Sequence, residues 1–189
     1  MKRPRVVLAS ASPRRLDLLQ AVGYDVVTAV SGAAEEEFSE SGPESLALLN
    51  ARRKWQLVAQ KNPSDHVIAA DTVVWLEGRF YGKPCDMADA ERMIQELSGQ
   101  THLVVTGVVM GRGEESPVEF AETTRVTFHA LTLSEIQDYL SSINPLDKAG
   151  AYAAQKDEGR IIREIDGLLS NVIGLPVERV LECLPLSEA

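Results

Sequence analysis

Hydrophobic and polar positions along this chain alternate between the short period of strands and the longer period of helices. Runs rich in valine and other strand-forming residues predict strands at 5–9, 24–30, 66–76, 79–81, 102–110, 118–128 and 161–165. Helical spacing of apolar residues predicts helices at 13–22, 43–62, 86–97, 132–140 and 176–184. Because strands and helices alternate through most of the chain, the sequence predicts an α/β fold.

Turn and capping residues mark the ends of several of these elements. Glu77 and Gly78 predict a hairpin turn, and the polar loop at 111–117 predicts an antiparallel pair from the two strands that it joins. Thr132 and Glu135 have the spacing of a capping box at a helix start. Apart from its strand at 161–165, the region 144–174 is glycine-rich and polar, and it predicts mainly loop.

Composition and charge restrict the possible partners. No repeat or linker interrupts the 189 residues, so we expect a single domain over 1–189. The net charge of -9 disfavours binding to nucleic acid or to an anionic membrane surface. No apolar stretch reaches the roughly 20 residues of a membrane span. Cys85 and Cys183 fit neither a disulfide framework nor a zinc site, and we expect a cytoplasmic protein.

The segment from Ser10 to Arg15, SASPRR, has the chemistry of an anion-binding site. Ser12 is a suitable helix cap, and Pro13 suits a first helical position. The free N–H groups of the helix start would lie beside the guanidinium groups of Arg14 and Arg15. A capped helix with solvated arginines is the structural alternative, and this segment alone leaves both interpretations open.

Asp71 is the acidic residue with the strongest functional signal. It lies with Thr72 inside the run VIAADTVVW, flanked on both sides by aliphatic residues. A carboxylate inside such a strand is costly unless it is paired, hydrogen-bonded or bound to a metal. The sequence therefore favours a functional role for Asp71.

Other polar segments carry weaker signals. Lys54 follows two arginines on a predicted helix, and local sequence favours a surface charge there. Lys83 in Gly-Lys-Pro is compatible with a plain turn. Small residues at 148–155 would let the backbone approach a ligand, and the amide of Gln155 could recognise a base edge, although a packing turn explains this segment equally well.

Taken in order, several segments closely resemble the Maf family of nucleoside triphosphate pyrophosphatases over nearly the whole chain. They are LASASPRR at 8–15, ARRK at 51–54, ADTVV at 70–74, GKP at 82–84, LSG at 97–99 with His102, TGV at 106–108, DKAGAY at 147–152 with Gln155, and SNVIGLP at 170–176.

The resemblance implies a fold, a reaction and a cofactor. The expected fold is similar to that of inosine triphosphate pyrophosphatases, with an elongated mixed β-sheet flanked by helices and two lobes around a cleft. The implied reaction is hydrolysis of a nucleoside triphosphate to the monophosphate and pyrophosphate, with Mg²⁺ or Mn²⁺. A homodimer is also expected by family resemblance.

The resemblance also assigns roles to individual residues. Phosphate-binding positions match Ser10, Arg14, Arg15, Lys54 and Lys83. Positions linked to base specificity match Arg14, Thr72 and Gln155. Asp71 would activate the attacking water as a proton acceptor, or position it as a metal ligand. Glu35, in the acidic loop predicted at 31–42, matches a position associated with metal or water handling.

Two subgroups and one other function class remain as alternatives. Arg14 and Gln155 resemble the subgroup that acts on dTTP and UTP rather than the subgroup that acts on 7-methyl-GTP. Because the family is associated with inhibition of septum formation, a nucleotide-binding regulator of cell division is the rival function. Pyrophosphate release that depends on Asp71 would distinguish the enzyme from the regulator.

Overall fold

A computed structural model describes residues 5–113 and 115–184. Its strands are β1 Arg5–Leu8, β2 Asp25–Thr28, β3 His66–Leu76, β4 Arg79–Tyr81, β5 Thr101–Gly111, β6 Val118–Phe128 and β7 Ile162–Asp166. Its α-helices are α1 Pro13–Ala21, α2 Pro43–Ala59, α3 Met87–Leu97, α4 Leu133–Ser142, α5 Leu169–Ile173 and α6 Val177–Cys183. The predicted α/β class is confirmed. The chain ends of the expected 1–189 domain and one position of the 111–117 loop lie outside the described residues.

The predicted elements are all present, although some of their ends differ. The second strand is shorter than 24–30, and α2 ends at Ala59 because tight turns beyond it lead into Pro63. Helix α5 was not predicted, since five residues that include Ser170 and Asn171 are too short to show a helical period. Ser12 occupies the predicted cap position of α1 and Pro13 begins the helix, but the Ser12 side chain makes no capping hydrogen bond.

The seven strands form one mixed sheet in the order β2-β1-β3-β5-β6-β7, with β4 also paired to β3. β1 runs parallel to β2 and β3, and every other pair is antiparallel, including the predicted β5–β6 pair. One edge of β3 is divided, because β1 pairs with 66–68 and β4 pairs with 74–76. Within the described chain, residues 69–73 therefore have no strand partner on that edge.

Different hydrophobic clusters pack against the two ends of β3. At one end, Val74 belongs to a cluster with α3 and α4. At the other end, Ile68 packs with α1 and α6 on one face of the sheet, and Val67 packs with α2 on the opposite face. The middle of β3 therefore lies between separate clusters, beside the divided edge.

A glycine allows α2 to lie very close to the sheet. A Cβ atom added to Gly107 of β5 would lie 2.5 Å from the backbone of Ala47 and Leu48. Because only a residue without a side chain fits there, Gly107 allows α2, the helix that carries Lys54, to pack directly against β5.

Two further features concern the surface of the molecule. In residues 5–113 and 115–184, no helix has the length and apolar character needed to cross a bilayer. Cys85 and Cys183 are both free thiols, and Cys85 is exposed.

Candidate active site

A cleft of about 780 Å³ opens where the edge of β3 is divided. The segment that leaves β1, the loop at 31–42, the middle of β3 and the turn after β4 all contribute to its walls. Ligands of open α/β sheets bind at such positions, beyond the carboxyl ends of parallel strands. Every residue that the sequence proposed for the site lies along this cleft: Ser10, Arg14, Arg15, Glu35, Lys54, Asp71, Thr72, Lys83 and Gln155.

Asp71 lies in the middle of β3 and is only 7% exposed. Alternate residues of a strand point to opposite faces, so Asp71 shares the face of Val67 and Ala69, which α2 covers. Its Oδ1 accepts a hydrogen bond of 2.6 Å from Lys54 Nζ, and its Oδ2 accepts one of 3.0 Å from Asn50 Nδ2. The carboxylate is thus paired as its desolvation requires.

Lys54 joins two acidic residues rather than facing solvent. Its Nζ lies 2.6 Å from Asp71 Oδ1 and 2.7 Å from Glu35 Oε1, and the residue is 7% exposed. The local expectation of a surface charge is wrong, because the close packing of α2 turns this residue toward β3. Burial acts to raise the pKa of Glu35, but the hydrogen bond and charge of Lys54 and the charge of Lys83 hold that pKa below its usual value.

Asn50 is a site residue that sequence reasoning missed. It lies one helical turn before Lys54 and is 2% exposed. Its amide contacts Asp71 and both backbone polar groups of Glu36. The available signal was its i,i+4 spacing to Lys54, which places both side chains on one helix face.

Arg15 is buried and is held by three parts of the chain. Its Nε donates to the carbonyl of Gly174 at 2.8 Å, its Nη1 to Ser10 Oγ at 3.1 Å and its Nη2 to Thr72 Oγ1 at 3.0 Å. Burial, with a smaller contribution from the charge of Arg14, lowers the pKa of Arg15. A guanidinium has five N–H donors, so two remain to meet a ligand.

Arg14 crosses the cleft to the loop before Lys148. Its Nη1 lies 3.0 Å from Asp147 Oδ2, and its Nη2 donates to the Asp147 carbonyl at 3.2 Å. Partial burial acts to raise the pKa of Asp147, but hydrogen bonds and charges from Lys148 and Arg14 lower it. The pair links two segments that are 133 positions apart in the sequence.

The remaining candidate residues differ in their exposure and in whether their side chains are already hydrogen-bonded within the protein. Lys83 and Gln155 are exposed at its walls. The hydroxyl of Thr72 is already engaged, because it also contacts Thr106 Oγ1 at 2.9 Å and accepts from Arg15. Asn171 does not line the cleft: its side chain is fully buried and donates to the Val104 carbonyl and to Thr124 of β6.

An aromatic cluster supports the wall near Gln155. Tyr152 lines the cleft, and its hydroxyl lies 3.0 Å from Nε2 of His102, with Phe128 packed edge-on against both rings. Burial lowers the pKa of His102 to about 4 and raises that of Tyr152. His102 is thus a residue of the hydrophobic core.

The cleft carries equal numbers of cationic and anionic side chains. Its cations are Arg14, Arg15, Lys54, Lys83 and Lys148. Its carboxylates are Glu35, Glu36, Glu37, Asp71 and Asp147. Because these formal charges balance, the protein alone offers a polyphosphate no net positive charge, and a divalent cation bound with such a ligand would change that balance.

The two acids that meet at Lys54 suit a hard divalent cation. Glu35 and Asp71 each place a carboxylate oxygen within 2.7 Å of the same ammonium nitrogen. Residues 5–113 and 115–184 contain no group of three or more His, Cys, Asp or Glu side chains arranged for a metal. Mg²⁺ is commonly bound by one or two carboxylates together with substrate phosphates and water. The donors therefore fit a cation that is shared with a phosphate ligand.

Comparison with known proteins adds independent information. A protein from Symbiobacterium thermophilum named "dTTP/UTP pyrophosphatase" is 41% identical over 180 residues, covering 95% of this chain and 92% of the relative. A protein of the same name from Akkermansia muciniphila is 41% identical over 181 residues, covering 96% and 95%. Among solved structures, the Ham1 protein of Staphylococcus aureus matches with a TM-score of 0.48 and 18% identity, covering 83% of this chain and 90% of that chain.

The family model described as "Maf-like protein" matches residues 5–186. That range includes the strands, the helices and every residue placed along the cleft. The match is therefore to the whole fold rather than to one motif, and the chain belongs to the Maf family.

Proposed function

We propose that this protein hydrolyses nucleoside triphosphates, dTTP and UTP in particular, to the nucleoside monophosphate and pyrophosphate. The observation that carries the proposal is the placement of Asp71, a buried carboxylate in a cleft that also contains several cationic side chains. Buried, specifically paired carboxylates in clefts are strong candidates for catalysis. The 41% identity to proteins named for these two nucleotides supports the substrates.

The bond changes follow from this arrangement. A water oxygen attacks the α-phosphorus, and the bond from that phosphorus to the oxygen bridging it to the β-phosphorus breaks. Asp71 orients the water and accepts its proton, while pyrophosphate leaves with the bridging oxygen. Arg15 and Lys83 stabilise the charge that moves toward the pyrophosphate.

A divalent cation, Mg²⁺ or Mn²⁺, belongs to this proposal. Glu35 and Asp71 would hold it, since both carboxylates lie beside Lys54 Nζ and are therefore close to each other. When bound, it supplies charge neutralisation for the triphosphate and polarises the phosphoryl group. In the protein itself, Lys54 forms an ion pair with each of these two carboxylates and keeps them close together.

Base recognition is proposed for Arg14, Thr72 and Gln155. Gln155 is exposed at the cleft wall, where its amide can both donate to and accept from a base edge. Arg14 is placed by Asp147, and the engaged hydroxyl of Thr72 shapes the wall beside Arg15.

Pyrophosphate release from a panel of nucleotides tests the proposal. With Mg²⁺ or Mn²⁺ present, dTTP and UTP should give the monophosphate and pyrophosphate faster than 7-methyl-GTP does. Asp71→Asn should lower kcat by about 100-fold or more, as loss of a general base does, while nucleotide binding remains. Asp138→Asn, at an exposed aspartate of α4, is the matched control and should match wild type.

Three results would each contradict part of this proposal. Nucleotide binding without turnover would favour a regulator, and turnover confined to 7-methyl-GTP would move the chain to the other subgroup. Release of inorganic phosphate with a diphosphate product would place the attack at the γ-phosphorus and reject the reaction proposed here.

A further inference from the structure

The acidic segment at 31–42 forms a cleft wall without regular structure of its own. It has no helix or strand, and its three consecutive acids, Glu35, Glu36 and Glu37, all line the cleft. Loops of this kind keep a defined position only when side chains of neighbouring elements satisfy their backbone groups. The position of Glu35 beside Lys54 therefore depends on what holds this loop.

Asn50 of α2 makes that connection from inside the protein. Its Oδ1 accepts from the Glu36 N–H at 2.8 Å, and its Nδ2 donates to the Glu36 carbonyl at 2.9 Å. The second hydrogen of Nδ2 is donated to Asp71 Oδ2 at 3.0 Å. Both hydrogens of the amide and its oxygen are thus used, and the partners fix its orientation, since a carboxylate and a carbonyl require the NH₂ group.

Two other contacts hold the same loop from its exposed side. Arg53 Nη1 lies 2.8 Å from Glu36 Oε1, where both side chains are well exposed. Phe38 packs edge-on against Phe80, with ring centroids 5.7 Å apart. Neither contact reaches Asp71. Lys54 joins the loop to that carboxylate through the side chain of Glu35, whereas Asn50 does so through the loop backbone at Glu36.

We propose that Asn50 is a positioning residue. Its amide holds the backbone of the acidic loop next to Asp71, so that the carboxylates of Glu35 and Asp71 both contact Lys54 Nζ. This inference rests on the proposed hydrolytic function for its effect on turnover. Its structural part, the anchoring of the loop, does not depend on the reaction.

Kinetics of Asn50 variants test the effect on turnover. Asn50→Leu removes all three hydrogen bonds and should lower kcat by about 10- to 100-fold, the range seen when residues that orient catalytic groups are removed. The KM for dTTP should change by no more than about threefold, because Asn50 is not among the residues proposed to bind the phosphates. Asn62→Leu, which removes a side-chain bond to the Val58 carbonyl at the end of the same helix, is the matched control and should match wild type.

Asn50→Asp provides a second variant of nearly the same size. In its ionised form it keeps an acceptor for the Glu36 N–H, but it cannot donate to the Glu36 carbonyl or to Asp71, and it adds a negative charge beside that carboxylate. Its kcat should fall at least as far as that of Asn50→Leu. This variant keeps the inference testable if the leucine variant does not fold.

A double-mutant cycle separates positioning from general destabilisation. If Asn50 acts through Glu35, Glu35→Gln should lower kcat strongly in wild type but only slightly in Asn50→Leu, where the loop is already released. A role in folding alone predicts that the two losses multiply. Multiplying losses would overturn the proposal, as would an Asn50→Leu kcat within about twofold of wild type.

Amide hydrogen exchange tests the anchor without any substrate. Residues 33–38 should exchange faster in Asn50→Leu than in wild type and Asn62→Leu, because the Glu36 N–H loses its acceptor. Unchanged exchange would overturn the anchoring role. If the wild type releases no pyrophosphate from dTTP or UTP, the proposed function fails, and the exchange experiment still decides whether Asn50 holds the loop.

Discussion

Acidification should destabilise this protein through His102, a histidine buried beneath the cleft wall. The residue is 1% exposed, and its Nδ1 has no hydrogen-bond partner among the described residues. A proton at Nδ1 would therefore place an unpaired charge in the core. This burial lowers the pKa of His102 to about 4 in the folded protein, against an ordinary value of about 6.5 in the unfolded chain.

The sign and size of the effect follow from proton linkage. Between about pH 6.5 and pH 4 the unfolded chain binds the proton and the folded protein does not, so the free energy of unfolding falls as the pH falls. From pH 7 to pH 5 the expected loss from His102 is about 2 kcal/mol. Below about pH 4 the folded protein is protonated as well, and the loss from this residue levels off near 3 kcal/mol.

Chemical denaturation at pH 5, 6 and 7, followed by tryptophan fluorescence, measures this effect. His102→Gln removes the titrating group, so its unfolding free energy should fall by about 2 kcal/mol less than that of wild type over the same pH range. Only the pH dependence is compared, so a lower stability of the variant at pH 7 does not affect the result. His129→Gln, at an exposed histidine, should keep the wild-type dependence.

The reasoning is refuted if wild type and His102→Gln lose stability equally between pH 7 and pH 5, within about 0.5 kcal/mol. Equal losses would mean that His102 titrates alike in the folded and unfolded chain. The buried contacts with Tyr152 and Phe128 would then not exclude a charge.

Two further predictions concern the elements that place the site. Gly107→Ala should lower the free energy of unfolding by about 2–3 kcal/mol, because its new Cβ would lie 2.5 Å from Ala47 of α2. Urea denaturation measures this loss. The control Gly82→Ala should lower the free energy of unfolding far less, because nothing lies within 4 Å of the Cβ that it adds. Arg15→Lys should lower the unfolding free energy by about 2 kcal/mol or more, since an ammonium cannot reproduce three divergent hydrogen bonds. The more exposed Arg14→Lys should cost less than about 1 kcal/mol, and equal losses for the two variants would contradict a special role for Arg15.

The sequence alone determined the fold class, every strand, all the longer helices and most of the residue types of the site. Periodicity is a local property, so the valine-rich strands and the capping box of α4 could be predicted from neighbouring residues. Asp71 could be identified because a carboxylate among aliphatic residues needs a partner wherever the strand lies. The sequence also indicated the anion-binding character of Ser10, Arg14 and Arg15.

Which partner each of these residues contacts was decided by the tertiary structure. Lys54 and Asp71 are 17 positions apart, Arg15 and Thr72 are 57 apart, and Arg14 and Asp147 are 133 apart. Such pairs meet only because one edge of β3 is divided between β1 and β4, and because Gly107 lets α2 approach the sheet. Both conditions depend on strand pairing and packing between distant segments. Local patterns carry no information about them, so the burial of Lys54 could not be predicted from the sequence.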